Sequence, residues 1–177
     1  MRKLITGMVG TLALATPVAA QQFGSGDWAA SKIGQTCYVF TVRSARDTSG
    51  ALIFRFQENG FNADFSYEYQ PWPGAQGAPW GTDDLVVLEV DGEEIWLGDE
   101  MLTAEGPTGY GASMTAGFVP EMIAAISRAT NSVAYSMDRQ ADGEVVLYGL
   151  FSNAGFTESI KQAGEWCNFD PAALPSS

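Results

Sequence analysis

Short stretches in which apolar and polar residues alternate recur along this chain, and residues that favour turns separate them. Residues 37–43, 52–57 and 64–69 are rich in β-branched and aromatic side chains, with Asp-, Asn- and Gly-containing segments in between. This alternation is typical of strands with one buried and one solvated face. The pattern predicts a mainly β domain, either a β-sandwich-like fold or a curved antiparallel sheet.

Further strands are predicted in the second half of the chain. The Asp91-Gly92 pair is a turn signal that predicts a hairpin between residues 85–90 and 94–97. Residues 133–137 and 144–150 have the composition of two more strands. The expected sheet therefore continues well beyond the first three strands.

Two short helices are expected to pack on the sheet. Residues 119–128 carry Pro120 in the first turn, where its missing N–H is tolerated, and residues 155–163 are the second candidate. Residues 70–82 hold three prolines and three glycines and are predicted to be a loop. Residues 98–118 carry no clear signal.

The first twenty residues have the three-part layout of a secretory signal peptide. Arg2 and Lys3 precede an uncharged apolar run over residues 4–15, and small residues end the segment at Ala20. An apolar run of about 12 residues is shorter than the roughly 20 needed to span a bilayer. We therefore expect cleavage near Ala20, a periplasmic or secreted location, and no stable membrane insertion.

Residues 21–170 are expected to form a single domain, followed by a flexible tail over residues 171–177. The chain carries a net charge of −12, and neither Lys nor Arg occurs between Arg55 and Arg128. Such a charge disfavours nucleic acid and anionic lipid as partners. The acidic stretch is interpreted as a solvated face, with a divalent-cation site or a surface for a basic partner as alternatives.

The chain has two cysteines, Cys37 and Cys167. In an oxidising compartment an even count predicts a disulfide, here one that ties the first strand to the C-terminal segment. A redox-active pair is the alternative. It is disfavoured because the sequence has no Cys-x-x-Cys motif and no histidine.

The absence of histidine also limits the chemistry that the chain can perform. It excludes Ser-His-Asp and Cys-His catalysis and removes the commonest zinc ligand. No glycine-rich phosphate loop is present. We predict neither a cofactor nor a metal ligand set, although a carboxylate pair of the glycosidase type remains an open possibility among 21 acidic residues.

A candidate binding surface is suggested by two tryptophans in the Pro/Gly-rich loop, Trp72 and Trp80, with the adjacent Asp83 and Asp84. Loops on a rigid scaffold often carry recognition, and exposed tryptophans serve as contact anchors or stack on sugars. The surface is expected to bind a protein or a small ligand.

Both ends of the domain resemble the invasion-associated locus B family of exported bacterial proteins. The resemblance is carried by Phe23-Gly-Ser-Gly-Asp-Trp28, Cys37-Tyr-Val-Phe40, residues 133–138, residues 142–152 and Asn153-Ala-Gly-Phe-Thr-Glu-Ser-Ile160. It implies an exported β-rich protein, associated in some pathogens with entry into host cells, and it does not imply an enzyme.

Four residues of these motifs have expected structural roles. Trp28 belongs to the N-terminal motif, and Gly155 would permit the turn from strand to helix. Phe156 would anchor the second helix to the sheet, and Thr157 would cap it.

The leading hypothesis is a non-enzymatic periplasmic or surface protein that contacts an envelope or host protein. The first alternative is a module that binds a saccharide or divalent cation through residues 70–105. The second is a hydrolase with a carboxylate pair.

Overall fold

The computed structural model describes residues 20–45, 48–70, 80–81, 83–96, 102–106, 109–115 and 118–175. Residues 1–19 of the predicted signal peptide lie outside this part of the chain. Within it, no helix is long and apolar enough to cross a membrane.

The described residues form eleven strands and two helices. The strands are β1 (Gln21–Ser25), β2 (Trp28–Ile33), β3 (Thr36–Ala45), β4 (Thr48–Gln57), β5 (Asp64–Gln70), β6 (Leu85–Val90), β7 (Glu93–Trp96), β8 (Leu102–Gly106), β9 (Gly109–Thr115), β10 (Val133–Arg139) and β11 (Glu144–Phe151). The helices are α1 (Val119–Arg128) and α2 (Phe156–Cys167), and one 3₁₀ turn spans Glu58–Gly60.

The strands form two antiparallel sheets, so the predicted mainly β class is confirmed. The large sheet has the order β1-β2-β3-β4-β5-β9-β8, and the small sheet has the order β11-β10-β6-β7. The hairpin at Asp91-Gly92 and the helix over Val119–Arg128 are also confirmed. Helix α2 extends to Cys167, four residues beyond its predicted end.

A single core lies against one face of the large sheet. Alternate residues of β4, among them Leu52 and Phe54, are fully buried, as the alternation in the sequence predicted. Helix α2 covers the β2–β4 half through Phe156, whose ring lies 5.6 Å from that of Phe54. The small sheet covers β5 through Tyr135.

A tight crossing of two chain segments holds α2 on the sheet. Trp28 packs edge-on against Phe156 at 4.7 Å, and its indole N–H donates to the Ser152 carbonyl at 2.8 Å. Gly155 precedes α2 with a φ of 90°, and an added Cβ there would lie 1.7 Å from the Ser25 carbonyl oxygen. Only glycine therefore fits at this crossing.

The predicted capping role of Thr157 is wrong. The N-cap of α2 is Gly155, no side chain caps the helix, and Thr157 lies inside the first turn. The close approach of the two chain segments requires glycine at the N-cap, so a capping side chain has no place there.

A disulfide joins Cys37 and Cys167, which are both fully buried. Cys37 lies in β3 rather than in the first strand, because the β1–β2 hairpin precedes it. The bond fixes the end of α2 to the large sheet. Nearby, the Lys32 ammonium donates to the Trp166 carbonyl at 2.5 Å and completes the attachment of this helix end.

The residues after α2 lie against the domain as far as residue 175. Phe169 stacks on Phe56 at 4.5 Å, and Leu174 packs against the core. The flexibility of the tail over residues 171–177 stays a prediction.

Removal of the disulfide is expected to lower stability strongly. The bond closes a loop of 130 residues, and the chain-entropy model gives about 5 kcal/mol for a loop of that size. Chemical denaturation of Cys37→Ala/Cys167→Ala beside the wild type measures the difference. Equal stability of the two proteins would contradict this account.

Substitution of Gly155 is expected to cost more than substitution of Gly143. Both glycines have positive φ, but a Cβ at Gly143 meets no atom within 4 Å. Gly143→Ala should therefore lower the free energy of unfolding by about 1–2 kcal/mol, because alanine is strained in the left-handed backbone conformation. Gly155→Ala should lower it by about 1–3 kcal/mol more, because its Cβ also overpacks the crossing. Equal losses in chemical denaturation would argue against the tight crossing.

Candidate functional site

Trp80 is buried, so the prediction that it forms an exposed contact surface is wrong. Its side chain is only 6% exposed. Its ring lies 5.6 Å from Tyr148, 5.9 Å from Tyr69 and 6.1 Å from Tyr67. A large apolar ring gains more from burial among these tyrosines than from contact with water.

Asp84, another residue of the predicted surface, is buried and has a structural role. Asp84 is 6% exposed, and its carboxylate accepts hydrogen bonds from the Gly81 and Gln140 backbone N–H groups at 2.9 and 3.1 Å. It therefore joins two loops. Asp83 is exposed, and Trp72 lies outside the described residues.

Five aromatic residues form a cluster between the two sheets, which we call the aromatic cluster. Its members are Tyr67, Tyr69, Trp80, Tyr135 and Tyr148. The rings of Tyr67 and Tyr135 stack at 4.2 Å, and the Tyr67 hydroxyl donates to the Tyr148 carbonyl at 3.3 Å. The cluster thus connects β5 of the large sheet with β10 and β11 of the small one.

The cluster is suited to structure rather than to proton transfer. Burial, reinforced by neighbouring tyrosines, raises the pKa of Tyr67 and Tyr135 well above the ordinary value. Both phenols therefore stay neutral at physiological pH. The Tyr135 hydroxyl is buried and has no hydrogen-bond partner within the described part of the chain.

A β-bulge in β11 shapes the surface above this cluster. Leu147 lies opposite Ser136 and Gly149 lies opposite Tyr135, so Tyr148 is an extra residue in the strand. Because of it, Leu147 and Leu150 project from the same face although they are three residues apart. The Tyr148 ring joins the aromatic cluster.

The outer face of β11 exposes three large apolar side chains, which we call the β11 patch. Val145 is 66% exposed, Leu147 58% and Leu150 44%. Contiguous exposed apolar residues of this kind mark interaction surfaces more often than isolated ones do. Sequence analysis predicted the strand but not its exposure, because a continuous apolar run is usually buried on both faces.

β11 is the longest of the four edge strands in the two described sheets. It has eight residues, and none from Val145 to Phe151 is charged or proline. By contrast, β1 has five residues, β8 has five, and β7 has four that begin with two glutamates. Proteins normally blunt such edges with short strands, charges or proline to prevent pairing with other chains.

The small sheet around the β11 patch is strongly acidic. Residues 85–96 and 133–151 hold seven carboxylates against one cation, Arg139, which gives a net charge of −6. Arg139 is engaged by Asp142 at 2.5 Å and by Glu144 at 2.9 Å. The apolar edge therefore lies in a negative field.

The described residues contain no group of three or more His, Cys, Asp or Glu side chains that could hold a metal ion. Asp91, in the acidic turn where a cation site was considered, has a structural role. Its carboxylate accepts hydrogen bonds from the backbone N–H groups of Thr130, Asn131 and Ser132 at 2.6, 2.9 and 3.2 Å. These bonds lower its pKa.

A concave surface lies on the outer face of β1–β3. It is a groove of about 430 Å³, a volume at the small end of ligand pockets. Gln22, Ala29, Ser31, Ile33 and Phe40 are among its lining residues, none of which is charged. The groove therefore offers no carboxylate pair for hydrolysis.

Truncation of Trp80 is expected to destabilise the protein. Trp80→Ala leaves a cavity in the aromatic cluster and should cost about 3–5 kcal/mol. Leu147→Ala removes an exposed side chain and should change the free energy of unfolding by less than about 0.5 kcal/mol. Thermal and chemical denaturation of both variants test this, and a fully stable Trp80→Ala protein would show that Trp80 is not part of the core.

The Asp91 carboxylate is expected to make stability depend on pH. The pKa of Asp91 is lowered in the folded state. The carboxylate therefore stabilises the folded protein above the unfolded pKa of about 3.9. This stabilisation is lost as the pH falls through the folded pKa. Asn tolerates positive φ as Asp does, so Asp91→Asn changes the charge and keeps the backbone. The denaturation midpoint of the wild type should be higher than that of Asp91→Asn at neutral pH, and the two midpoints should become equal in acid. A constant gap would contradict this reasoning.

Comparison with protein-family models, with curated proteins and with solved structures gives no match. The resemblance of the two chain ends to the invasion-associated locus B family stays a prediction that rests on its motifs.

Proposed function

We propose that this protein is an exported, non-enzymatic protein of the bacterial envelope that works by binding another protein. The observation that carries the proposal is the β11 patch, where Val145, Leu147 and Leu150 are exposed on an edge strand of the small sheet. Contiguous exposed apolar side chains on an otherwise acidic domain favour an interaction surface.

The proposed compartment is supported by the buried Cys37–Cys167 disulfide. Structural disulfides persist in oxidising compartments such as the periplasm and are rare in the cytosol. The signal-like segment over residues 1–20 favours the same location, as does the family resemblance.

Contact is favoured over catalysis by the chemistry of the described residues. The groove on the large sheet has no charged lining residue. Trp80 and Asp84, proposed from the sequence as a ligand surface, are directed into the fold. These features do not favour the saccharide or cation module or the carboxylate-pair hydrolase.

Site-directed photo-cross-linking in the producing cell tests the proposal. The photo-reactive residue p-benzoylphenylalanine replaces either Leu147 or Ile33. The two positions are 58% and 59% exposed and lie on different sheets, so they form a matched pair. We expect one discrete cross-linked protein from position 147 and none from position 33.

Two results would contradict the proposal. One is no adduct from position 147 in intact envelope. The other is the same set of adducts from both positions, since that indicates non-specific contact. Leu147→Lys in the same assay should keep the melting temperature and abolish the adduct formed from position 145.

A further inference from the structure

β11 has one edge available for pairing with another chain. It pairs with β10 along one side, and no described strand pairs with it along the other. Its eight residues are longer than a typical strand. A strand edge of this length that pairs with no described strand is a template onto which an extended segment can add as a further strand.

The side chains of β11 favour an extended partner over a globular one. Val145, Leu147 and Leu150 follow the strand along its outer face. A strand added to this edge would place its own side chains directly opposite them, about 4.5–5.5 Å away. Main-chain hydrogen bonds would then supply affinity, and these three positions would supply specificity.

The edge is held in place before any partner arrives. Tyr148 is fixed in the aromatic cluster, and a Cβ added to Gly149 would come within 2.5 Å of the Phe151 ring. The bulge is therefore built into the strand by packing and by the sequence. A rigid edge loses less entropy on binding than a flexible one.

The negative charge of the small sheet favours a positively charged partner. Two copies of this chain paired through β11 would bring two sheets of net charge −6 together, which disfavours self-association. A segment that carries lysine or arginine among apolar residues would be attracted and correctly steered.

These features rest on the proposed contact function and specify its partner. We infer that β11 binds an extended, cationic segment of a partner protein by strand addition, with apolar residues of the segment opposite the β11 patch.

Synthetic peptides test the inference directly. The probe is a ten-residue peptide of alternating Val and Lys. The first control replaces Lys by Glu, and the second keeps the sequence but methylates the backbone nitrogen of every second residue. Binding to the mature protein is followed by calorimetry at low and physiological salt. We expect the Val-Lys peptide to bind at least about tenfold more tightly than either control.

The protein variants locate the binding. Leu147→Lys adds a like charge at the centre of the β11 patch and should weaken binding of the Val-Lys peptide by at least about tenfold. Ile33→Lys adds the same charge at an equally exposed position of the large sheet and should have no comparable effect. Equal melting temperatures of the two variants establish that both are folded.

Several outcomes would overturn the inference. If the N-methylated peptide binds as tightly as the Val-Lys peptide, main-chain strand pairing is contradicted. If Ile33→Lys weakens binding of the Val-Lys peptide as much as Leu147→Lys does, β11 is not the binding location. A concentration-dependent dimer lost in Leu147→Lys would make a second copy the occupant. If the position-147 cross-link forms but the Val-Lys peptide does not bind, the contact function stands and strand addition fails.

Discussion

The stacking of Tyr67 on Tyr135 joins the two sheets, and the position of every other feature of the candidate site depends on it. The rings lie 4.2 Å apart, and Trp80 and Tyr148 pack around them. The aromatic cluster is the part of the core in which rings of the small sheet stack on β5. The cluster therefore decides which face of β11 is directed inward and which face is left exposed to solvent.

The surface of the small sheet combines two properties that have opposite effects on self-association. Apolar side chains on an open edge favour association, while a net charge of −6 resists self-association. In the proposed role, the two properties together would disfavour like molecules and favour cationic ones. This is how an interface obtains specificity from repulsion as well as from attraction.

Much of the fold could be predicted from the sequence, because strand alternation and turn residues are local signals. The hairpin at Asp91-Gly92 and the bounds of α1 were read correctly. The β1–β2 hairpin was missed because most of its residues are small or polar and Ile33 is its only β-branched residue. β8 and β9 were missed for the same reason: Gly, Ala, Ser and Thr dominate residues 102–115.

The candidate site could not be predicted, because it depends on contacts distant in sequence. Trp80 has the loop environment of a contact residue but is buried by tyrosines from other strands. The run from Val145 to Phe151 has the composition of a buried strand but is located at an edge. Its exposure follows from sheet order, which local patterns do not encode.

Amide hydrogen exchange of the protein bound to its cross-linked partner shows which sheet carries the contact surface. We expect slower exchange along β11 (Glu144–Phe151) in the complex than in the free protein. It also predicts unchanged exchange along β2 (Trp28–Ile33), which belongs to the other sheet. Protection of β2 with no change in β11 would contradict the claim that this edge is the contact surface.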